Sequence, residues 1–244
     1  MDRFRASGLH LLICLFIGGL LWLLLRTVWY PGTLFQAVGG QEIFLILLGI
    51  DVSLGPLMTL VVFKSDKKKL RFDFIAIGLV QVAALAYGLN TLWAGRPVYV
   101  AALGHRFDVV QATDVEEKEL VAAKQHLPWW GPKWVGVKEA EDKKERERVL
   151  FSAMAGVDYG SFPQHHAPLA TMRDDILKRA KPISELRKFN PGADAQINTW
   201  LADHHVTEPN VIFQGLHARG QDMTVVMDAK TTAVIGVAQF KPWN

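Results

Sequence analysis

Asp51 sits near the middle of an apolar run, in Glu42-Ile43-Phe44-Leu45-Ile46-Leu47-Leu48-Gly49-Ile50-Asp51-Val52-Ser53-Leu54-Gly55-Pro56. Placing a carboxylate at bilayer mid-depth costs about 3 kcal/mol on insertion scales, so such a residue marks a functional or helix-packing site. A second strongly polar residue, Gln81, lies in the next apolar run. Counted from Glu42 and Asp73 at 1.5 Å per residue, both travel roughly 12 to 14 Å and reach nearly the midplane of a roughly 30 Å core. Asp51, Gly55 and Thr59 share one helix face, and Gln81, Ala84 and Gly88 share another. Packing those faces together would let the Gln81 amide donate to Asp51. Pro56 has no N–H to give the Val52 carbonyl, which frees that acceptor near Asp51. Gly18-Gly19, Gly55, Ala84 and Gly88 are small enough for close helix approach. The candidate intramembrane packing or partner site is therefore Asp51, Gly55, Pro56, Gln81, Ala84 and Gly88, serving the protein's own bundle, a partner helix, or both.

Other chemistry is sparse. His165-His166 and His204-His205 are the only histidine pairs, and adjacent side chains point different ways, so a zinc site would need both pairs with Asp203 or Glu208. Surface or capping roles are the expectation, with no metal, no cofactor and no catalytic residue assigned. No Gly-x-Ser-x-Gly elbow, His-Glu-x-x-His motif or phosphate-cradling glycine loop occurs. Trp129, Trp130 and Trp134 fall within six residues. Exposed, they would contact a partner or the membrane interface; buried, they would cap a core, and burial is the expectation.

These residues need helices that cross a membrane. Gly8 to Tyr30, Glu42 to Phe63 and Asp73 to Ala94 are each long and apolar enough. Arg3 and Arg5 precede the first; Lys64, Lys67, Lys68, Lys69 and Arg71 join the second and third, while the loop from Pro31 to Gln41 has neither lysine nor arginine. Cytoplasmic flanks retain basic residues, so the amino terminus is expected inside and everything after Arg96 outside. Arg26 is close enough to the outer end of the first span to snorkel. The first span is expected to remain as an anchor, because its apolar core is too long for a signal peptide and Trp29-Tyr30-Pro31-Gly32 stands where a cleavage site would be. Trp29, Tyr30, Trp93 and Tyr99 are placed at the outer interface. Cys14, the only cysteine, lies in the first span, so the rest of the chain holds no disulfide. The net charge of +3 leaves no nucleic-acid footprint once the basic loop is discounted.

The remaining residues predict one α+β domain. Val98 to Ala102 and Arg106 to Gln111 read as strands around Gly104. Helices are expected from Asp114 to about His126, Lys138 to Ala155, Ala170 to Phe189 with a bend at Pro182, and Ala193 to His204, with a break from Pro128 to Gly136. The mixed charges from Glu139 to Arg148 read as a solvated face. Asn210 to His217, Met223 to Asp228 and Thr232 to Phe240 read as strands, the last two forming a hairpin through Asp228-Ala229-Lys230-Thr231. The expected architecture is three transmembrane α-helices over residues 1–96, then a periplasmic α+β domain over 97–244 with a small antiparallel sheet.

Several stretches resemble the type IV pilin accessory proteins of the TfpX/TfpZ kind. They are Trp29-Tyr30-Pro31-Gly32-Thr33-Leu34-Phe35, Gly49-Ile50-Asp51-Val52-Ser53-Leu54-Gly55-Pro56-Leu57-Met58-Thr59-Leu60, Gln81 to Gly88, Arg96-Pro97-Val98-Tyr99 and the closing Lys241-Pro242-Trp243. The resemblance covers the membrane third and the two ends of the following domain, and is only an outline over 115–210. It implies a non-enzymatic, chaperone-like protein of a Gram-negative inner membrane that binds or stabilises the type IV major pilin and assists pilus assembly. Its partners would be that pilin and the lipid bilayer, with no nucleic acid and an oligomeric state left open. The competing class is a membrane-bound enzyme of pilin modification, transferring a glycosyl or phospho group.

Overall fold

The structure is a computed structural model that describes residues 3–62, 70–154 and 156–243. Helix α1 (Arg3–Leu24) runs directly into a π-helical turn, Leu25–Trp29. A short α2 (Leu34–Ala37) precedes α3 (Gly40–Val62) and α4 (Leu70–Ala94). Three helices, Arg3–Trp29, Gly40–Val62 and Phe72–Ala94, are long and apolar enough to cross a membrane. Their outward faces carry exposed apolar side chains such as Phe16, Leu20, Ile46, Leu54, Leu79 and Val80, the surface that lipid, not water, has to cover. This is a multi-pass membrane protein. Helix α3 is central, packing on both α1 and α4. Lys64, Lys67, Lys68 and Lys69 lie outside the described residues, so the basic loop has no structural account.

After α4 the chain enters a globular domain built on one eight-stranded sheet. Strands β1 (Pro97–Ala102) and β2 (Phe107–Gln111) pair antiparallel around Gly104, whose φ of +83° suits glycine. Helix α5 (Glu117–Ala123), β3 (Lys133–Val137), α6 (Lys143–Met154), β4 (His166–Pro168) and α7 (Arg173–Arg179) follow. Then come β5 (Lys181–Pro182), α8 (Ile183–Phe189), α9 (Asp194–Asp203), β6 (Val211–His217), β7 (Met223–Asp228) and β8 (Val234–Ala238). The sheet order is β4-β3-β1-β2-β6-β7-β8, with β5 on β6. The early pair and the late meander were both legible; what joins them is a short parallel contact, Phe107 to Leu216 and Asp108 to His217. The sheet is thereby larger than expected and mixed, although the α+β class stands.

Four local expectations change. The break at 128–136 holds all but the last residue of β3, which pairs parallel with β1 over Lys133 to Gly136, hidden because the Pro and Gly residues before it dominate the local signal. Asp114 does not cap α5: its carboxylate accepts from Gln111 N–H, and α5 begins at Glu117 and ends where Lys124 turns left-handed. Helix α6 starts at Lys143, five residues later than expected. The stretch 170–189 is two helices separated by β5, because the residue before a proline avoids the helical region and Lys181 and Pro182 pair with Phe213 and Ile212. The hairpin is as expected, with Asp228 Oδ1 accepting from the Lys230 and Thr231 N–H groups.

Alternation along β6 and β7 creates two apolar layers. Val211, Phe213 and Val226 face Ile183, Leu186, Ile197 and Leu201 of the α8 and α9 side. Leu216, Met223, Val225 and Met227 face Phe107, Met172 and Ile176 on the other, and this second layer is completed by Leu34 and Ala37 from the loop between the first two spans. The Ala37 carbonyl accepts from Gly220 and Gln221 N–H at 2.9 Å each, and Thr33 Oγ1 donates to the Val237 carbonyl at 3.2 Å. Gly220 is required there, since a Cβ would lie 2.7 Å from the Gly39 nitrogen. Loop 31–39 is thus a wall of the globular domain and lies on the same side of the membrane, as three crossings demand.

Candidate functional site

The polar groups inside the bundle meet, joined by a residue of α1 that was not expected among them. Gln81 lies over Gly55, where a Cβ would come within 2.3 Å of Gln81 Nε2 and 3.1 Å of His10 Nε2. Gln81 Oε1 is 2.9 Å from His10 Nε2, and His10 Nδ1 is 2.6 Å from Thr59 Oγ1. An amide oxygen only accepts, so in neutral imidazole Nε2 carries the proton and Nδ1 accepts from the threonine hydroxyl. One chain of hydrogen bonds therefore links α1, α3 and α4. The Gln81 Nε2 group makes a weak 3.8 Å contact with Cys14 Sγ. Ser7 Oγ donates to the Pro56 carbonyl at 2.9 Å, tying α1 to α3 a turn away.

Asp51 borders a cavity of about 170 Å³ with His10, Cys14 and Gln81, whose other walls are apolar, including Ile17, Leu21, Phe44, Leu48 and Leu85. His10 and Gln81 are the strongly polar residues that share the cavity wall with it. The depth estimate thus brings the Asp51 and Gln81 faces to one cavity, and the Gln81 oxygen, to which the sequence reading gave no partner, serves His10. Gly88 is buried against Leu47, which a Cβ would meet at 2.6 Å, and Ala84 is half-buried on the same helix. His10 and Ser7 are the residues sequence reasoning passed over. The signal was present: His10 is the one basic side chain between Arg5 and Arg26.

At the domain end of the bundle the tryptophans separate into two groups. Trp134, on β3, is half-buried with its ring centroid 5.7 Å from that of Phe107. Trp129 and Trp130 are 75% and 77% exposed, which overturns their expected burial. The physical reason is that their loop rests on the ends of the spans and not over the domain core. Gly131 N–H donates to the Val28 carbonyl at 2.7 Å, an acceptor available because the π-helical turn ends there. Trp129 packs at a tilt against Trp93, centroid to centroid 4.9 Å, and Trp93 lies 4.8 Å from Trp29. The buried Arg96 guanidinium lies 3.5 Å from the Trp93 ring centre and donates to the carbonyls of Trp93 and Pro128. Of the four expected interface aromatics, Trp29 and Trp93 are half-exposed, whereas Tyr30 and Tyr99 are buried. The Tyr30 hydroxyl donates to the Leu92 carbonyl, and Tyr99 meets His166 edge-on at 4.5 Å.

The charges on α6 are only partly a solvated face. Arg148 forks onto Glu119 at 2.7 and 3.1 Å and onto Glu145 at 2.7 and 2.8 Å. Glu119, at 4% exposure, also accepts from Gln164 Nε2, and Glu145 from His165 at 3.1 Å. The hydrogen bonds from Arg148 hold both carboxyls below their usual range, Glu145 at about 2. This cluster ties α5 to α6 and to the loop before β4, a structural use of charge. His166 donates toward the Gly160 carbonyl and is driven below the usual histidine range by burial; His204 stacks on Trp200. Among the described residues, no three His, Cys, Asp or Glu side chains converge in a way that could hold a metal ion.

No family model matches the chain, and no solved structure matches it. Proteins named fimbrial assembly protein do. The serogroup I protein of Dichelobacter nodosus is 29% identical over 240 residues, covering 94% of this chain and 93% of the relative. The serogroup E1 protein is 27% identical over the same coverage. That of serogroups C1 and C2 is 36% identical over 98 residues, 39% of this chain and 75% of the relative. The chain belongs to the fimbrial assembly protein family. This agrees with the type IV pilin accessory resemblance, and the two long matches extend it across the globular domain, where the resemblance was only an outline. In this member of the fimbrial assembly family the polar chain from His10 to Gln81 and the indole cluster at the bundle's end are the two features that exceed what a bare membrane anchor requires.

Proposed function

We propose that this protein is a non-enzymatic assembly factor of the inner membrane that binds and stabilises a type IV major pilin before its incorporation into the pilus. Near-full-length kinship with fimbrial assembly proteins carries this reading. In it, residues 1–96 form the membrane region with the amino terminus in the cytoplasm, and residues 97–244, completed by loop 31–39, form a periplasmic domain. A pilin awaiting assembly presents one apolar helix and a soluble head, and a bundle plus a head-sized domain matches that layout. The docking face in the membrane is the cavity lined by Asp51 and Gln81, with Gly55, Pro56, Ala84 and Gly88 shaping the bundle that presents it. Gly55 and Gly88 let the protein's own helices close on one another, and Asp51 and Gln81 offer a partner helix polar groups that set register.

The test is deletion of the gene with pilin followed by immunoblot and intact-mass measurement, together with crosslinking and recovery of the tagged full chain. Pilin that falls in abundance at unchanged mass, and that crosslinks to the tagged chain, is the expected outcome. Normal pilin levels with a changed mass would replace this reading with a pilin-modifying enzyme.

A further inference from the structure

We propose that the loop from Pro128 to Pro132 is a lipid-binding hook that seats Trp129 and Trp130 in the headgroup boundary of the same bilayer the three helices cross. The loop's height is set by contacts within the chain. Gly131 N–H is bonded to the Val28 carbonyl at 2.7 Å, within the first span, and Trp129 packs at a tilt 4.9 Å from Trp93, in the last turn of the third. A side chain that is exposed at the level of those final turns faces lipid, and Trp129 and Trp130 are three-quarters exposed there. Indole suits that boundary, with an apolar ring for the acyl side and an N–H for the headgroups. Arg96 positions the hook: its guanidinium lies over Trp93 and donates to the Pro128 carbonyl, so the third span, the start of the domain and the loop are held as one unit. Trp29, Trp93 and Trp129 then form a continuous aromatic row from span to domain. The proposal does not rest on the pilin reading, since it concerns lipid alone.

The experiment uses the full chain in vesicles of phosphatidylethanolamine and phosphatidylglycerol whose acyl chains are brominated near the headgroup. Tryptophan emission of the wild type is compared with Trp129→Phe/Trp130→Phe, and the difference spectrum reports the two indoles among the eight in the chain. That difference should be quenched by the brominated lipid and spared by aqueous iodide. Quenching by iodide without quenching by lipid places the loop in water and overturns the proposal. Protection from both quenchers overturns it too, in favour of a protein contact. Both indoles are exposed, and the two single variants carry the same comparison if the double variant does not fold.

Discussion

Gly55→Ala adds one methyl at a tight crossing of α3 and α4. Its Cβ would stand 2.3 Å from Gln81 Nε2, so the amide must swing aside and the 2.9 Å bond to His10 is lost with it. Overpacking of this kind costs about 1–3 kcal/mol, and an interhelical hydrogen bond in a membrane protein adds about 0.6 kcal/mol. Alanine recovers up to about 1 kcal/mol of helix propensity. The net expectation is a loss of about 1–2 kcal/mol. Gly49 is the internal control: it lies on the same helix, nothing is within 4 Å of its Cβ position, and Gly49→Ala should collect only the propensity gain. Equilibrium unfolding of the full chain in bicelles, followed by circular dichroism, should therefore separate the two variants by about 2–3 kcal/mol. Crosslinking to pilin should weaken in Gly55→Ala alone. Equal unfolding midpoints for the two variants would refute the packing of Gln81 on Gly55 and the site built on it.

Asp51→Leu should leave the protein inserted but lower pilin recovery, with Asp51→Asn milder because the amide keeps an acceptor; full pilin recovery in Asp51→Leu would move the docking face out of the membrane. Arg148→Met should lower the thermal stability of the full chain. The loss should fall between the roughly 1 kcal/mol of an exposed pair and the roughly 3 kcal/mol of a buried one, because the Glu119 side chain is 6% exposed and that of Arg148 39%. Depressed carboxyls stabilise the fold above their usual value near 4.5, so the gap between wild type and Arg148→Met should be full at neutral pH and close as pH falls from there toward about 2, the Glu145 value. A gap that is constant over that range would show that the lost packing of the arginine stem, and not its charge, is responsible. A reporter active only outside the cytoplasmic membrane should be active when fused after Asn244 and silent when inserted near Lys67; the reverse pattern would invert the assigned topology.

The spans were legible because a run of about 20 apolar residues has one common explanation, and the depth comparison of Asp51 with Gln81 worked because helical rise is fixed. His10, which bonds to Thr59 and Gln81, was concealed because the first span was read as a plain anchor. In the domain, the hairpin at Asp228 was readable from its β-branched flanks. Strand β3 was not, because a five-residue strand is stabilised by its neighbour β1, a contact no local pattern encodes. The charges of α6 misled for a related reason. A sequence displays Arg148 and Glu145 as helix neighbours but cannot display Glu119 arriving from α5 to bury one arm of the fork.

Loop 31–39 has a consequence for how the protein is made. Leu34 and Ala37 belong to the core of a domain whose remaining strands begin at Pro97, and Thr33 is bonded to Val237, 204 positions later. A ribosome therefore delivers one piece of the domain's wall before the second helix has entered the bilayer and the last strand more than two hundred residues afterwards. The domain cannot close on itself until the first two helices have crossed and turned that loop to the correct side. A chain whose insertion fails would leave the layer of Leu216, Met223 and Val225 short of the Leu34 and Ala37 side chains that complete it, an apolar gap of the kind that proteases and chaperones recognise. For the same reason a fragment starting at residue 97 would be born without part of its own interior, and biochemistry on this domain should begin from the intact chain.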